Sequence, residues 1–446
     1  MSGKDKEESK PGVEHRDPQY FGYYAMLQHQ QNMLQDTVRT STYRSAILMN
    51  GPGCFQDKAV LDVGAGSGIL SYFAVQAGAS QVYAVEASNM ANKMKKLVEH
   101  ENTNSFLRGK ITVVNAKIED KDLPIPKVDT IISEPIGVLL FHERMLESYI
   151  YARDHYLKPG GALFPSKGNI YLAPFTDATL WSETMAKARF WEQTSFYGIN
   201  FTSLYKDARD EMFGMPVVGH FDPRNLISTP TVLDSHPVDF STVTLEQLYD
   251  MTMPFTWLAG YTGLMHGIAG WFDLIFAPPP YDNNNNNNGN VPNTTVEMST
   301  GPAAERTHWQ QVRFLFREPL AVNATQPIRG WMRAVVNDMR SYTIYVEVVV
   351  GADTQLSDPA TIDLKTFAAD QQEHPLRRRG RWELHEQTYN YSFNPGMMPE
   401  HKPEYSCLYQ PESKIDEAVK TFQQQAEILD FTAMSNVMEN YENFMN

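Results

Sequence analysis

Two glutamates, Glu134 and Glu143, bracket a short apolar loop that reads Ser-Glu-Pro-Ile-Gly-Val-Leu-Leu-Phe-His-Glu over residues 133–143. A carboxylate held in apolar surroundings is costly unless a cation or hydrogen-bond donors satisfy it. Two carboxylates looped back on one another repel, and each then favours protonation. A cation between them resolves both problems. A planar guanidinium, with its fork of five donors, matches a pair of carboxylates better than a lysine ammonium does. Taken alone, the same residues also fit a plainer arrangement, in which Glu134 caps a loop and Glu143 is a first-turn acid favoured by the helix dipole.

A second group of residues points to a small-molecule site. Gly64-Ala65-Gly66-Ser67-Gly68 follows a short apolar run, and Glu86 ends the next one. Glycines at such a loop let the backbone approach a ligand, and an acid after the second strand can accept both hydroxyls of a ribose. The spacing is Gly-x-Gly-x-Gly, and no basic residue adjoins the loop to complement a pyrophosphate. A nucleoside without phosphates is the better match. Glu119 could accept from an adenine amino group while Ile118 packs on the ring; the alternative for Glu119 is a solvated loop acid.

The elements that must position these residues read as a Rossmann-type α/β unit. Strands are expected over 59–63, 81–87, 111–116, 128–133 and 161–167, with a helix over 69–77 and another opening at Glu143, where Met145, Leu146, Tyr149 and Ile150 recur at helical spacing. Two short helices are expected across 21–49, behind a charged tail over 1–19 that reads as disordered. After residue 166 the pattern turns to short strands and prolines, clearest over 307–316 and 341–350. Between lies 177–218, a helical excursion rich in Trp181, Phe190, Trp191, Phe196, Tyr197 and Phe213, read either as core or as a partner face. The asparagine run 283–288, within a loop spanning 280–298, reads as a disordered insertion. From 371 onward the chain reads as a C-terminal extension: a basic turn (Arg377, Arg378, Arg379, Arg381), polar linker, and an amphipathic helix over 413–431.

Bulk composition narrows the classes. The chain has 446 residues and a formal net charge of −15, which argues against nucleic-acid binding by bulk electrostatics. Two cysteines are too few for a disulfide framework and point to a reducing compartment, and no apolar run has membrane-span length, so no membrane partner is expected; no metal site is expected either.

The motifs together resemble those of the protein arginine N-methyltransferases. The resemblance rests on Val-Leu-Asp-Val-Gly-Ala-Gly-Ser-Gly-Ile-Leu (60–70), Val-Glu-Ala (85–87), the double-glutamate segment running to Ser148, and Thr307-His308-Trp309. The segment Gln-Gln-Asn-Met-Leu-Gln-Asp-Thr-Val-Arg-Thr (30–40) is similar to the coactivator-associated, type I subgroup. The resemblance covers about residues 20–368. It implies a cofactor lid over 20–49, a Rossmann-type S-adenosylmethionine-binding domain over 50–166, and a β-barrel domain over 167–370 whose arm, 177–218, makes a homodimer. It also implies methyl transfer to arginine in proteins such as histone tails, giving mono- and asymmetric dimethylarginine with S-adenosylhomocysteine as product, in nucleus and cytoplasm. By the same resemblance Gly64 and Gly66 lie along the methionine part, Glu86 holds the ribose, Glu119 and Ile118 the adenine, and Arg39 the cofactor carboxylate with Gln30 beside it. Tyr20 and Tyr24 close over the cofactor, Met33 narrows the acceptor pocket, Met145 and Ser148 line the site, and Glu134 and Glu143 clamp the arginine, with Tyr24 and His308 counted beside them as catalytic candidates. His308 is expected to lack its aspartate, because the position taken for that partner is Gly22; it is left to order the barrel edge or to bond substrate or a tyrosine. The competing classes are a nicotinamide-dependent oxidoreductase on the same sheet and a non-catalytic arginine-binding scaffold.

Overall fold

The computed structural model describes residues 12–100, 104–228, 235–279, 294–351, 353–367 and 374–390. The chain divides into two units, Met1–Phe393 and Asn394–Asn446, and every described residue belongs to the first. The helix expected over 413–431 and the asparagine run lie outside the described residues.

Three helices open the fold: α1 (Asp17–Tyr24), α2 (Leu27–Gln35) and α3 (Thr37–Met49). The first begins inside the stretch read as a disordered tail. Polar composition is overridden there because Asp17 is buried and pairs with Lys117 and, at 2.9 Å, with Arg340. Asp36 caps α3, its carboxylate accepting from the Arg39 amide at 2.9 Å.

The α/β unit follows as β1 (Ala59–Val63), α4 (Ile69–Gln76), β2 (Gln81–Val85), α5 (Met90–Val98), β3 (Ile111–Val114), β4 (Val128–Ser133), α6 (Met145–Tyr156) and β5 (Leu157–Phe164). The strands form one parallel sheet in the order β3-β2-β1-β4-β5. Apolar side chains on both faces suit strands covered by helices on both sides. Winding starts at β1, runs outward through β2 and β3, then returns to β4. The crevice beyond the carboxyl ends of β1 and β4 is therefore the switch point at which such sheets bind ligands.

A second, antiparallel region follows. It comprises β6 (Lys167–Phe175), α7 (Ala178–Arg189), α8 (Tyr205–Gly214), β7 (Val217–Gly219), β8 (Ser235–Asp239), α9 (Leu245–Tyr249), β9 (Asp250–Leu258), β10 (Gly263–Phe276), β11 (Val296–Ser299), β12 (Gln311–Val322), β13 (Pro327–Val336), β14 (Tyr342–Val350), β15 (Arg377–Glu383) and β16 (Thr388–Tyr389). One sheet runs β16-β7-β12-β10-β6-β8 with β11 beside β10, the other β15-β14-β13-β9. A single hydrophobic core joins both to the parallel sheet, drawing Ile131, Leu172, Trp257 and Ile344 into one cluster. A smaller cluster seats α7 and α8 on the outer face through Leu180, Met185, Phe213 and Trp271. Farther out on the same excursion, Phe190, Tyr197, Ile199 and Leu204 are exposed. Phe213 is thus core, while the tip aromatics are not.

The arginines expected in a basic turn form β15 instead. Glu347 on β14 is fully buried, and Arg377 and Arg379 reach it at 3.0 and 3.3 Å. A buried carboxylate demands cations, and the neighbouring strand supplies them. Among the described residues no helix is long and apolar enough to cross a membrane.

Candidate active site

The carboxyl ends of β1 to β4 and the three N-terminal helices enclose a cavity of about 330 Å³. Every candidate named from the sequence lines it except His308: Tyr20, Tyr24, Gln30, Met33 and Arg39 from the helices, Gly64 and Gly66 from the glycine loop, Glu86, Ile118 and Glu119 from the ends of β2 and β3, and Glu134, Glu143, Met145 and Ser148 from the loop and helix after β4.

The glycine loop has a left-handed backbone that strains any side chain, which would also displace its neighbours. Gly64 has φ of +70°, and a Cβ there would lie 2.0 Å from Met145 Cε. Gly66 has φ of +55°, and its Cβ would lie 2.8 Å from Gln30 Oε1. Gln30 explains that closeness: its Oε1 accepts from the Ser67 amide at 3.0 Å and its Nε2 donates to the Tyr24 carbonyl at 3.1 Å. The buried glutamine therefore fastens the helical segment to the loop. Glu86 accepts from the Gly66 amide at 2.8 Å and the Ser88 amide at 2.7 Å, one on each oxygen.

Arg39 is buried and donates from Nη2 to Glu134 Oε2 at 3.0 Å. Burial works against its charge, but Glu134 outweighs that and holds the guanidinium pKa above its usual value. Its Nε and Nη1 are buried without a hydrogen-bond partner. Buried charged donors are normally satisfied, so two left open beside a cavity call for an acceptor there. The other Glu134 oxygen accepts from the Ile136 amide at 3.3 Å.

Glu143 does not open α6. It sits one residue ahead of the Arg144 N-cap with φ of +72°, and Leu139, Leu140 and Arg144 are also left-handed, at +55°, +76° and +58°. Four such non-glycine residues in one loop cost of order 1–3 kcal/mol each unless neighbours enforce them, as happens at ligand clamps. The neighbours here are identifiable. Arg144 holds Glu147 through Nε at 2.5 Å and Nη2 at 3.1 Å, and donates to the Asn337 carbonyl at 2.8 Å. Trp309 Nε1 donates to the Ile136 carbonyl at 2.9 Å. The Glu143 carboxylate accepts from the Tyr24 hydroxyl at 2.6 Å, and no cation forms an ion pair with it among the described residues. Burial pushes its pKa above the usual carboxylate range, against the pull of the Tyr24 and Tyr20 hydroxyls, and the Glu134 charge adds to the rise.

His308 does have an aspartate. Its Nδ1 lies 2.7 Å from Asp36 Oδ2, and its backbone amide donates to the same oxygen at 2.8 Å. The expectation built on Gly22 is corrected: the partner comes from the cap of α3, not from the tyrosine-rich segment of α1. Burial opposes the Asp36 charge, yet the bonds from His308 and from the Arg39 amide prevail and hold the carboxyl below its usual range. His308 stands outside the cavity lining, so Thr307-His308-Trp309 acts in the structure as a tie between α3 and the double-glutamate loop. Asp17, Arg144 and Arg340 also line the cavity and were not foreseen from the sequence. The bonds of Asp17 to Lys117 and Arg340 cross 100 and 323 residues, and local spacing carries no signal for them.

The parallel sheet with its cavity at the switch point, and the antiparallel domain after it, match methyltransferase families in turn. Residues 53–143 match the family described as ribosomal protein L11 methyltransferase, and residues 166–349 the arginine methyltransferase oligomerization subdomain. The chain is 46% identical over 329 residues to a probable histone-arginine methyltransferase CARM1 of Oryza sativa subsp. indica, covering 73% of this chain and 58% of that protein. It is 44% identical over 347 residues to the histone-arginine methyltransferase CARMER of Drosophila ananassae, covering 78% and 61%. The chain thus spans about three-fifths of the length of these curated relatives. Among solved structures, protein arginine methyltransferase 10 of Arabidopsis thaliana aligns with a TM-score of 0.65 at 27% identity, over 82% of this chain and all of that one. The PRMT1 enzyme–prozyme complex of Trypanosoma brucei, solved with AdoHcy, aligns with a TM-score of 0.63 at 26% identity, over 81% of this chain and 99% of that one. The chain belongs to the protein arginine methyltransferase family.

Proposed function

We propose that this chain transfers methyl groups from S-adenosylmethionine to guanidino nitrogens of arginine in protein substrates, histone tails among them, as a type I enzyme giving mono- and asymmetric dimethylarginine. The observation that carries this is the pairing of Glu134 and Glu143 on one cavity with the glycine loop and Glu86, Glu143 being held by a hydroxyl and not by a cation.

The residues present fit the cofactor. The unpartnered Nε and Nη1 of Arg39 suit its carboxylate. Glu86 has lone pairs left for ribose hydroxyls after its two amide bonds. Gly64 and Gly66 leave the loop backbone bare, and Ile118 and Glu119, on the wall of the same cavity, suit an adenine ring and its amino group. Tyr20, Tyr24, Met33, Met145 and Ser148 line the same cavity, the tyrosines suited to close over a cofactor and the methionines to narrow the acceptor pocket. When bound, S-adenosylmethionine supplies an electrophilic methyl group on a sulfonium.

A free guanidinium is a poor nucleophile because its lone pairs are delocalised and its pKa lies above about 12. Glu134 and Glu143 draw positive charge toward two of its nitrogens and leave electron density on the third, which gains the methyl carbon as the carbon–sulfur bond breaks and gives up one proton. An arriving cation also favours the ionised form of Glu143. Fixing the reacting nitrogen in a near-attack position is worth roughly 7–11 kcal/mol. A single proton transfer is worth about 10²–10⁴-fold. Positioning therefore outweighs acid–base work, consistent with His308 serving as a tie outside the cavity.

The family description of residues 166–349 and the exposed Phe190, Tyr197, Ile199 and Leu204 support a homodimer formed through 177–218. Histone substrates would place the enzyme in the nucleus as well as the cytoplasm. The test is incubation of the purified chain with S-adenosylmethionine and histone-tail or proline-rich arginine peptides, with fragmentation of the products by mass spectrometry. The expected product is asymmetric dimethylarginine formed through the monomethyl species; a symmetric product, or none, would refute the assignment.

A further inference from the structure

Arg340 lies in the turn between β13 and β14, in the antiparallel region, yet its side chain reaches the cavity. It touches two things that the proposed chemistry needs separately. Toward the helical segment, its Nη2 and Nε lie 2.9 and 3.1 Å from Asp17 Oδ1, and its guanidinium carbon sits 4.3 Å from the centroid of the Tyr20 ring. Toward the clamp, its Nη1 donates at 3.3 Å to the backbone carbonyl of Glu143. Asp17 also pairs with Lys117, just beyond β3, and Lys93 on α5 donates to the Ala25 carbonyl at 2.5 Å. The helix bearing Tyr20 and Tyr24 is thus fastened to the sheet edge by lysines and to the clamp loop by an arginine. Glu143 has a left-handed backbone, so its orientation depends on external bonds such as this one.

We propose that Arg340 is a positioning residue that couples closure of α1 over the cavity to the orientation of Glu143. This rests on the reading of α1 as the cofactor lid and of Glu143 as a substrate clamp. With α1 closed, Tyr20 and Asp17 hold the guanidinium plane, and the remaining fork nitrogen supports the Glu143 carbonyl. With α1 open, Arg340 loses its counter-charge and its aromatic face, and Glu143 loses a fixed donor. Arginine suits the task because its planar fork serves a carboxylate, a ring face and a carbonyl together, which an ammonium cannot do.

The test uses the full chain with Arg340→Gln, Arg340→Lys, Asp17→Asn and the double variant Asp17→Asn/Arg340→Gln. Glutamine and lysine meet the same backbone demand as arginine at this left-handed position, where φ is +53°. Two readouts are taken: chymotryptic cleavage at the tyrosines of α1 with saturating S-adenosylhomocysteine, and kcat with KM for an arginine peptide. Arg340→Gln is expected to speed cleavage of α1 and to lower kcat by about tenfold or more, as when a group that positions the substrate is itself misplaced. KM is expected to change far less than kcat. Arg340→Lys is expected to recover much of the cleavage protection, through Asp17, but little of kcat. The double variant is expected to fall short of the product of the two single effects, since both changes break the Asp17–Arg340 linkage while Asp17→Asn alone also loses the Lys117 pair. Unchanged cleavage in Arg340→Gln, or multiplicative effects in the double variant, would overturn the coupling. Cleavage is read without methyl transfer, so an inactive wild-type chain would refute the proposed reaction while leaving the link between Arg340 and α1 to be judged by its own readout.

Discussion

Replacing Glu134 with glutamine is expected to lower kcat for arginine methylation by about 10²–10³-fold, roughly 2.7–4 kcal/mol of transition-state stabilisation, as for other preorganised electrostatic contacts. The substitution keeps shape and one acceptor oxygen, which can face Arg39 in place of Glu134 Oε2; its NH2 then meets the Ile136 amide, which bonds the other oxygen at 3.3 Å in the structure. It removes one of the two charges proposed to grip the substrate cation. Affinity for S-adenosylhomocysteine is expected to stay within about threefold, because an amide oxygen can still accept from Arg39 at modest net cost. Calorimetric titration alongside turnover measurement separates the two effects. Near-normal turnover, or parallel loss of turnover and cofactor binding, would show that Glu134 does not act on the substrate.

Arg39→Ala is expected to do the reverse, striking cofactor affinity and stability together. The substitution strands Glu134, whose side chain is only 12% exposed, without the cation now 3.0 Å away. Breaking a buried pair from one side costs about 3–5 kcal/mol. It also deletes the two donors that have no hydrogen-bond partner in the structure. Hydrogen bonds to a charged group are worth about 1.5–3 kcal/mol, so affinity for S-adenosylhomocysteine should fall by roughly 10–100-fold or more. Thermal unfolding with and without S-adenosylhomocysteine reads both losses. Arg39→Lys should fall between, since one ammonium cannot face Glu134 and a ligand carboxylate with the same geometry. Wild-type affinity in Arg39→Ala would mean that those donors face nothing.

Much of the site could be read from local pattern because each of its parts occupies a strand end. Apolar runs of five or six residues locate β1, β2 and β4, and whatever follows each run arrives at the same sheet edge. Gly64, Gly66, Glu86, Glu119 and Glu134 come together for that reason. What escaped the sequence depends on pairing at a distance. Asp36 was visible as part of a motif, but nothing nearby shows that His308, 272 residues on, will bond to it. The first turn of α1 looked like solvated tail because its stabilising partners, Lys117 and Arg340, come from other domains of the pattern. A clue to β15 was present and unused. Glu347 sits inside Tyr-Thr-Ile-Tyr-Val-Glu-Val-Val-Val, a strand buried along its whole length, and a carboxylate there requires cations from an adjoining strand. The left-handed backbone at Leu139, Leu140, Glu143 and Arg144 had no forewarning, since none is glycine, asparagine or aspartate.

The grip of two carboxylates on one planar cation is tested most directly by comparing two peptides that differ in a single group. Arginine and citrulline side chains are nearly the same size and shape, but only the first carries charge. With the purified chain saturated in S-adenosylhomocysteine, calorimetry should find an arginine peptide bound and its citrulline counterpart weaker by about 100-fold or more, the order expected for losing charge-assisted bonds to both Glu134 and Glu143. Equal affinity for the two peptides would contradict it.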